Sequence, residues 1–238
     1  MKRSFAIAML FCAFFLAFPA LAKVKVTRSV FKFDDKTRVY YWFVPDTPGP
    51  LPLVVLLHGS GRDGAVMAEA WKDLAAREHF MIAAPDAYNP TLWDSNRDTP
   101  QFLHAVVDQM RVVHPVDDSR IYLYGHSGGA VYGLALALID SEYYAAVAVH
   151  AGDLHPENYH LFEQATRQMP VAIWVGSLDQ NFPVADVTET KRAFDAHGIQ
   201  LELHVLQGET HNYDNFSEEL DSKAWNFLKD KKLAPPNP

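Results

Sequence analysis

The sequence predicts an α/β domain with a mostly parallel sheet and helices on both faces of that sheet. Segments of strand length alternate with segments of helical periodicity along most of the 238 residues, an order typical of parallel sheets. Several strand segments are continuously apolar, as in residues 51–57, which indicates strands covered on both faces. The first two segments instead alternate polar and apolar residues around a short polar turn, which predicts an antiparallel N-terminal hairpin.

The first half of the chain is predicted to form the hairpin, two buried strands and two helices. Met67, Trp71 and Leu74 recur at helical spacing, and the next helical segment has an apolar face of the same kind. In order, the predicted elements are strands over residues 24–33, 38–44 and 51–57, a helix over 65–79, a strand over 80–84 and a helix over 101–114.

The second half continues the alternation of strands and helices. Its predicted elements are strand 121–124, helix 130–138, strands 144–149 and 171–175, helix 184–197, strand 200–206 and helix 217–229. Gly198 is expected to end the helix before it, since glycine is the usual residue at that position. Residues 150–170 have room for a short helix but not for a large lid domain. In such sheets the functional site lies beyond the carboxyl ends of the strands.

The segment Gly125-His-Ser-Gly-Gly129 lies between a short apolar strand and a helix rich in small residues. This order predicts a nucleophile elbow, with Ser127 in a strained turn and with Gly125 and Gly129 leaving room where a Cβ would collide. The hydroxyl is expected at the helix N-terminus, where free N–H groups favour developing negative charge. His126 is expected to pack beside the site.

An acid and then a histidine are expected to follow such a serine along the chain. His211 comes directly after a strand and is therefore expected at the active edge, whereas His197 lies at a helix end and His204 inside a strand. Asp179 also follows a strand and is the preferred acid. Asp153, which follows the preceding strand, is the alternative.

The glycine-rich loop after strand 51–57 lacks the Lys-Ser/Thr ending of a phosphate-binding loop. In a protein with a nucleophile elbow, the loop at this place supplies one backbone N–H of the oxyanion hole, and the residue after the serine supplies the other. Ser60 and Gly128 are therefore the predicted donors.

Several aromatic and histidine side chains lie in loops on the same side of the predicted sheet. They are candidates for an apolar or aromatic acyl pocket, with a role in capping the core as the alternative. The candidates are Tyr88, Trp93, His155, Tyr159 and Phe182. His150, His155 and His160 recur at five-residue spacing, which does not gather them on one helical face, so no metal site is expected there. No cofactor is expected either.

The N-terminus predicts a signal peptide over residues 1–22, followed by one domain over residues 23–238. Lys2-Arg3 forms a basic start, the apolar run is shorter than the roughly 20 residues that span a bilayer, and Ala20-Leu-Ala22 fits a cleavage site. We expect an exported protein, periplasmic or secreted, with no membrane anchor after cleavage. Cys12 is the single cysteine and lies in the predicted signal, which excludes a thiol nucleophile or a disulfide from the mature chain.

Four motifs together resemble the α/β-hydrolase superfamily. They are Gly125-His-Ser-Gly-Gly129, His58-Gly-Ser-Gly61, Gly176-Ser-Leu-Asp179 and Gly208-Glu-Thr-His211. Within the superfamily they are most similar to secreted esterases of the feruloyl-esterase and polyhydroxyalkanoate-depolymerase type, and to the carboxylesterase and thioesterase group. The resemblance implies a three-layer α/β-hydrolase fold and a serine esterase.

The implied reaction is ester cleavage through an acyl-enzyme, with Ser127 as nucleophile, His211 as base and Asp179 as its partner. The expected partner is a small-molecule or oligomeric ester. A formal net charge of −8 without a basic stripe argues against nucleic acid or an anionic membrane. Peptidase, thioesterase or dienelactone-hydrolase chemistry remains open, as does a non-catalytic binding protein, because fold alone does not fix a reaction.

Overall fold

The computed structural model describes residues 24–214 and 216–234, so the predicted signal peptide lies outside the described residues. The described residues form eight strands and five α-helices. The strands are β1 (Thr27–Phe33), β2 (Lys36–Phe43), β3 (Leu51–Leu57), β4 (Met81–Pro85), β5 (Val116–His126), β6 (Ala146–His150), β7 (Val171–Gly176) and β8 (Leu201–Leu206). The helices are α1 (Gly64–Glu78), α2 (Pro100–Val113), α3 (Gly128–Ile139), α4 (Val184–Ala196) and α5 (Ser217–Leu228), and a 3₁₀ helix spans Pro156–Gln164.

The strands form one sheet in the order β1-β2-β4-β3-β5-β6-β7-β8. The β1–β2 and β2–β4 pairs are antiparallel, and the other neighbours are parallel. This topology confirms the predicted mostly parallel sheet with an antiparallel hairpin at one edge. The strands that carry the site are parallel neighbours, so their carboxyl ends lie along one edge.

Two hydrophobic layers cover the sheet because alternate residues of each strand point to opposite faces. Val55 and Leu57 of β3 pack with α2, α3 and α4 on one face, whereas Val54 and Leu56 pack with α1 and α5 on the other. All seven residues of β3 are buried, as its continuously apolar sequence predicted.

Most element bounds fall within three residues of those predicted, but β5 begins at Val116 rather than at Ile121. The polar residues between these two positions extend the strand because Val116 pairs with Leu51 of β3 before a register shift brings Ile121 opposite Leu53. Hydropathy alone does not reveal this extension, since the added residues are only half-buried or exposed.

Candidate active site

Ser127 occupies the turn between β5 and α3 with φ +54° and ψ −119°, a backbone conformation that L-residues rarely adopt. The turn is closely packed on both sides. A Cβ on Gly125 would lie 2.3 Å from the carbonyl oxygen of Gly129, and a Cβ on Gly129 would lie 2.2 Å from that of Leu57. Only glycine fits at either position, so the strained serine is held by its surroundings.

The side chains of Ser127, His211 and Asp179 form a continuous hydrogen-bonded chain. Ser127 Oγ lies 3.0 Å from His211 Nε2, and His211 Nδ1 lies 3.0 Å from Asp179 Oδ2. Since an ionised carboxylate only accepts hydrogen bonds, Nδ1 carries the imidazole proton and Nε2 is free to accept the serine proton. Asp153, the alternative acid, has no contact with His211 among the described residues.

Backbone N–H groups hold the Asp179 carboxylate in a fixed orientation. The side chain is fully buried, and its Oδ1 accepts hydrogen bonds from the N–H groups of Asn181 at 2.9 Å and Phe182 at 3.0 Å. The second oxygen, Oδ2, is thereby left for His211. Burial is tolerated because the carboxylate has a partner on each oxygen.

The loop that carries Asp179 is joined to the loop that carries His211. The N–H groups of Ser177 and Leu178 each donate at 2.9 Å, to the carbonyl oxygens of Leu206 and Glu209 respectively. A Cβ on Gly176 would lie 2.3 Å from the Glu209 oxygen, so the close approach of the two loops also requires a glycine.

Ser60 and Gly128 face each other beside Ser127. A Cβ on Gly128 would lie 3.4 Å from Ser60 N, and a Cβ on Gly59 would lie 3.3 Å from Ser127 Cβ. Among the described residues, neither the Ser60 N–H nor the Gly128 N–H donates a hydrogen bond to protein. Two backbone N–H groups without a protein acceptor in the described chain therefore lie near the Ser127 side chain.

His58 holds the Ser60 loop in place. Its Nδ1 lies 2.9 Å from the Gly59 carbonyl oxygen, its Nε2 accepts the Ala87 N–H at 3.0 Å, and its own carbonyl accepts the Trp93 indole N–H at 2.9 Å. Burial lowers the pKa of His58, and the hydrogen bond to Gly59 opposes this shift only in part. A lowered pKa is consistent with a neutral ring that both donates and accepts a hydrogen bond.

Two of the predicted pocket residues lie close to the site. The ring of Phe182 stacks on that of His211, with centroids 5.6 Å apart. Trp93 reaches the Ser60 loop through His58, and its indole stacks on Tyr132 with centroids 5.4 Å apart.

The other three predicted pocket residues have contacts elsewhere among the described residues. Tyr88 stacks under the Lys36 ammonium, 3.7 Å from the ring centroid. His155 is exposed and lies 3.6 Å from a Glu157 oxygen, and Tyr159 packs edge-on against Phe162.

The cavity beside Ser127 is small and mostly polar, with a volume of about 160 Å³. At its rim the Arg62 guanidinium donates two hydrogen bonds to the Asp214 carboxylate, at 2.7 and 2.5 Å. The bonds link the Ser60 loop to the His211 loop. The residues that line the cavity are Gly59, Ser60, Arg62, His126, Ser127, His211, Asn212 and Tyr213.

A buried pair of imidazoles lies beneath Ser127 and His211. His126 and His150 are paired in register at the ends of β5 and β6, with their Nδ1 atoms 3.0 Å apart and their ring planes within 11° of each other, so the two imidazoles meet edge to edge. Burial, reinforced by the neighbouring histidines, lowers the pKa of His126 to about 3 and that of His150 to about 2, so both rings are neutral. Their adjacency follows from the parallel pairing of β5 and β6, since each strand ends in histidine.

Tyr213 connects this pair to α5. Its ring stacks on His126, with centroids 5.1 Å apart, and its hydroxyl accepts the Trp71 indole N–H at 3.0 Å and donates to Asp221 Oδ1 at 2.5 Å. Burial raises the pKa of the Asp221 carboxyl well above its usual range. Tyr213 therefore links the residues packed beneath His211 to helix α5.

Comparison with known proteins agrees with this architecture. The dienelactone hydrolase family matches residues 40–230. Poly(3-hydroxyalkanoate) depolymerase C of Paucimonas lemoignei is 25% identical over 194 residues, an alignment that covers 64% of this chain and 46% of that protein. The chain therefore spans less than half the length of this relative.

Two solved structures share the fold over nearly the whole described domain. A fluorophosphonate-binding serine hydrolase of Staphylococcus aureus superposes with a TM-score of 0.73 at 13% identity, covering 87% of this chain and 99% of its own. A ferulic acid esterase from Anaeromyces mucronatus gives a TM-score of 0.71 at 15% identity, covering 87% and 90% respectively. The predicted resemblance is confirmed, and the chain belongs to the dienelactone hydrolase family of α/β-hydrolases.

Proposed function

We propose that the protein is a serine esterase that cleaves carboxylic esters through an acyl-enzyme on Ser127. The observation that carries the proposal is the unbroken chain from Ser127 Oγ through His211 to Asp179, with 3.0 Å at each step. Metal and cofactor play no part in this chemistry, because the three side chains supply the nucleophile, the base and the group that orients the base.

In the proposed reaction His211 Nε2 takes the Ser127 proton as Oγ attacks the ester carbonyl. The resulting oxyanion accepts hydrogen bonds from the N–H groups of Ser60 and Gly128, each of which is worth about 3–4 kcal/mol in comparable sites. Asp179 stabilises the imidazolium and keeps its orientation. His211 then protonates the leaving alcohol, and a water activated by the same imidazole releases the acid.

The substrates we propose are accessible esters of modest size, with short or aromatic acyl groups, either small molecules or oligomers. Between β6 and β7, residues 151–170 contain one short 3₁₀ helix, Pro156–Gln164, so the described chain has only a small cover at this point. The Phe182 ring stacked on His211 offers an apolar surface to an acyl or alcohol group.

We further propose that residues 1–22 are removed on export and that the mature enzyme, starting at Lys23, works in the periplasm or outside the cell. In the described residues, helices long and apolar enough to cross a membrane are absent. N-terminal sequencing of the exported protein tests this proposal. A chain that still begins at Met1 would contradict it.

Labelling with a fluorophosphonate probe, combined with chromogenic esters of graded chain length, tests the esterase proposal. Wild-type protein is expected to be labelled and to turn over at least one ester, and Ser127→Ala is expected to lose labelling and at least about 10⁴-fold in kcat. Ser222→Ala on α5 is the matched control and is expected to retain both. Folding of each variant is checked by thermal unfolding.

Thioester, lactone and peptide substrates in the same panel separate the remaining reaction classes. Faster turnover of one of these than of any simple ester would redirect the proposal to that class. A folded wild-type protein that is neither labelled nor active on any substrate would favour a binding protein instead.

A further inference from the structure

His126 lies directly before the proposed nucleophile, in the wall of the cavity beside Ser127, and only 5% of its surface is exposed. Its Nδ1 is turned to His150, 3.0 Å away. The opposite edge of the ring lies near the Ser60 loop, because a Cβ on Gly59 would be 3.1 Å from His126 Cδ2. Nε2, next to Cδ2, is therefore on the cavity side.

The His150 ring determines which nitrogen of His126 carries the proton. One proton lies between the two Nδ1 atoms, and each neutral ring has one proton in all. His150 is fully buried, and its Nε2 has no hydrogen-bond partner. If His126 donated, His150 would need its proton on that Nε2, as a buried N–H without an acceptor.

The reverse arrangement avoids this orphaned donor. His150 then donates from Nδ1 to His126 Nδ1, and its Nε2 is an unprotonated nitrogen, a less unfavourable buried group than an unpaired N–H. His126 must in turn carry its proton on Nε2. Within the described residues that Nε2 donates to no protein group, so its N–H is available to whatever occupies the cavity.

We propose that His126 is a substrate-binding residue whose Nε2–H donates a hydrogen bond to an acceptor oxygen that the ester carries near its scissile carbonyl. The preferred substrates are then oxygen-substituted esters, such as alkoxy, hydroxy or diester compounds. The inference rests on the proposed esterase function and narrows its substrate class. It is supported by the cavity lining, in which Ser60, Arg62 and Asn212 are also polar.

The fixed ring makes this donor selective. Its orientation is set by the 3.0 Å hydrogen bond to His150 Nδ1 and by the Tyr213 ring stacked on it, with centroids 5.1 Å apart, so little conformational freedom is lost on binding. A site built to donate a hydrogen bond discriminates against a substrate that has a methylene in place of the oxygen, because the N–H is left unpaired.

Two pairs of esters that differ only by an oxygen in place of a methylene test the proposal. The acyl pair is 4-nitrophenyl methoxyacetate and 4-nitrophenyl butyrate, and the alcohol pair is 2-methoxyethyl acetate and butyl acetate. For each pair the ratio of kcat/KM is measured in wild type and in variants. Comparing ratios between proteins cancels the intrinsic reactivity of the two esters.

His126→Phe is expected to lower the ratio about tenfold in one of the two pairs, and that pair identifies the part of the ester that is bound. His126→Gln, whose amide keeps a donor near the same place, is expected to restore the ratio to within about threefold of wild type. His204→Phe, on the exposed side of β8, is the matched control and is expected to leave both ratios unchanged.

The double variant His126→Phe/His150→Phe removes both rings and leaves neither nitrogen orphaned, so it serves if His126→Phe does not fold. The proton position is also measured directly by ¹⁵N NMR of histidine-labelled wild type, with Nε2 expected to be the protonated nitrogen of His126. Ratios that stay within about twofold in both pairs, or a proton on Nδ1, would overturn the proposal. Absence of Ser127-dependent turnover of every ester would instead refute the esterase function itself.

Discussion

Replacing Asp179 with asparagine tests the proposed triad most directly, because the surrounding backbone dictates how the new amide must lie. Oδ1 accepts the N–H groups of Asn181 and Phe182, at 2.9 and 3.0 Å. An asparagine keeps these bonds only if its carbonyl oxygen takes the Oδ1 position. Its NH₂ group then faces His211 Nδ1.

The opposite orientation of the amide is strongly disfavoured. It would place the NH₂ group against two backbone N–H donors and leave both unsatisfied in a buried site, at about 1–3 kcal/mol for each donor. An NH₂ group facing Nδ1 forces the imidazole proton onto Nε2, where it points at Ser127 and prevents Nε2 from acting as a base. The same change in a serine protease triad lowers kcat about 10⁴-fold, which corresponds to about 5 kcal/mol of activation free energy.

We therefore expect Asp179→Asn to lower kcat on a chromogenic ester about 10⁴-fold while its thermal unfolding midpoint stays near that of wild type. Asp153→Asn is the matched control, since Asp153 is half-buried, follows the preceding strand and has no contact with His211 in the described chain. A folded Asp179→Asn protein within tenfold of wild-type kcat would refute the argument. A loss confined to Asp153→Asn would transfer the role of the acid to that residue.

Two further predictions concern the packing beneath the site. Gly129→Ala places a Cβ 2.2 Å from the Leu57 oxygen and is expected to lower the free energy of unfolding by about 1–3 kcal/mol, measured in denaturant. Gly133→Ala is the control, since its Cβ would have its nearest contact at 3.4 Å, and it is expected to be neutral or stabilising. Equal stability of the two variants would contradict the packing argument. Because burial lowers the pKa of His126 and His150 below the value of about 6.5 in the unfolded chain, the unfolded state binds more protons below that pH, and stability falls as the pH is lowered from 6.5 toward 3. Each ring is expected to contribute a loss of roughly 2 kcal/mol in unfolding free energy by pH 5. His126→Phe/His150→Phe should therefore show a smaller slope of unfolding free energy against pH than wild type. Equal slopes would show that the rings accept protons in the folded state.

Much of the fold, and the placing of the three proposed triad residues at one edge of the sheet, could be predicted because each depends on local pattern. Continuously apolar segments predict the buried strands that precede Ser127 and Asp179, whereas His211 follows β8, a partly polar strand at the edge of the sheet; each residue lies beyond the carboxyl end of its strand. Parallel pairing then brings them to one edge without further information.

Contacts between distant polar groups could not be predicted in this way. The buried ion pair of Arg38 and Asp98 joins residues 60 positions apart, and the Arg62–Asp214 pair joins residues 152 positions apart. Neither belongs to a periodic pattern, and each depends on where two loops meet after the sheet has formed. The pairing of His126 with His150 is intermediate, since strand order suggests it but the register decides it.

Backbone hydrogen bonds join the loops after β7 and β8, both of which follow the 3₁₀ helix in the chain, so this helix separates two groups of site residues. The part of the chain before the 3₁₀ helix carries Ser127, the proposed nucleophile, and both proposed amide donors, and the part after it carries Asp179 and His211, whose loops are hydrogen-bonded to each other. Neither part holds a complete catalytic apparatus. If the chain is divided within residues 151–170, ester turnover would require the two polypeptides to associate. This segment is therefore the site at which the chain could be divided to make a split reporter.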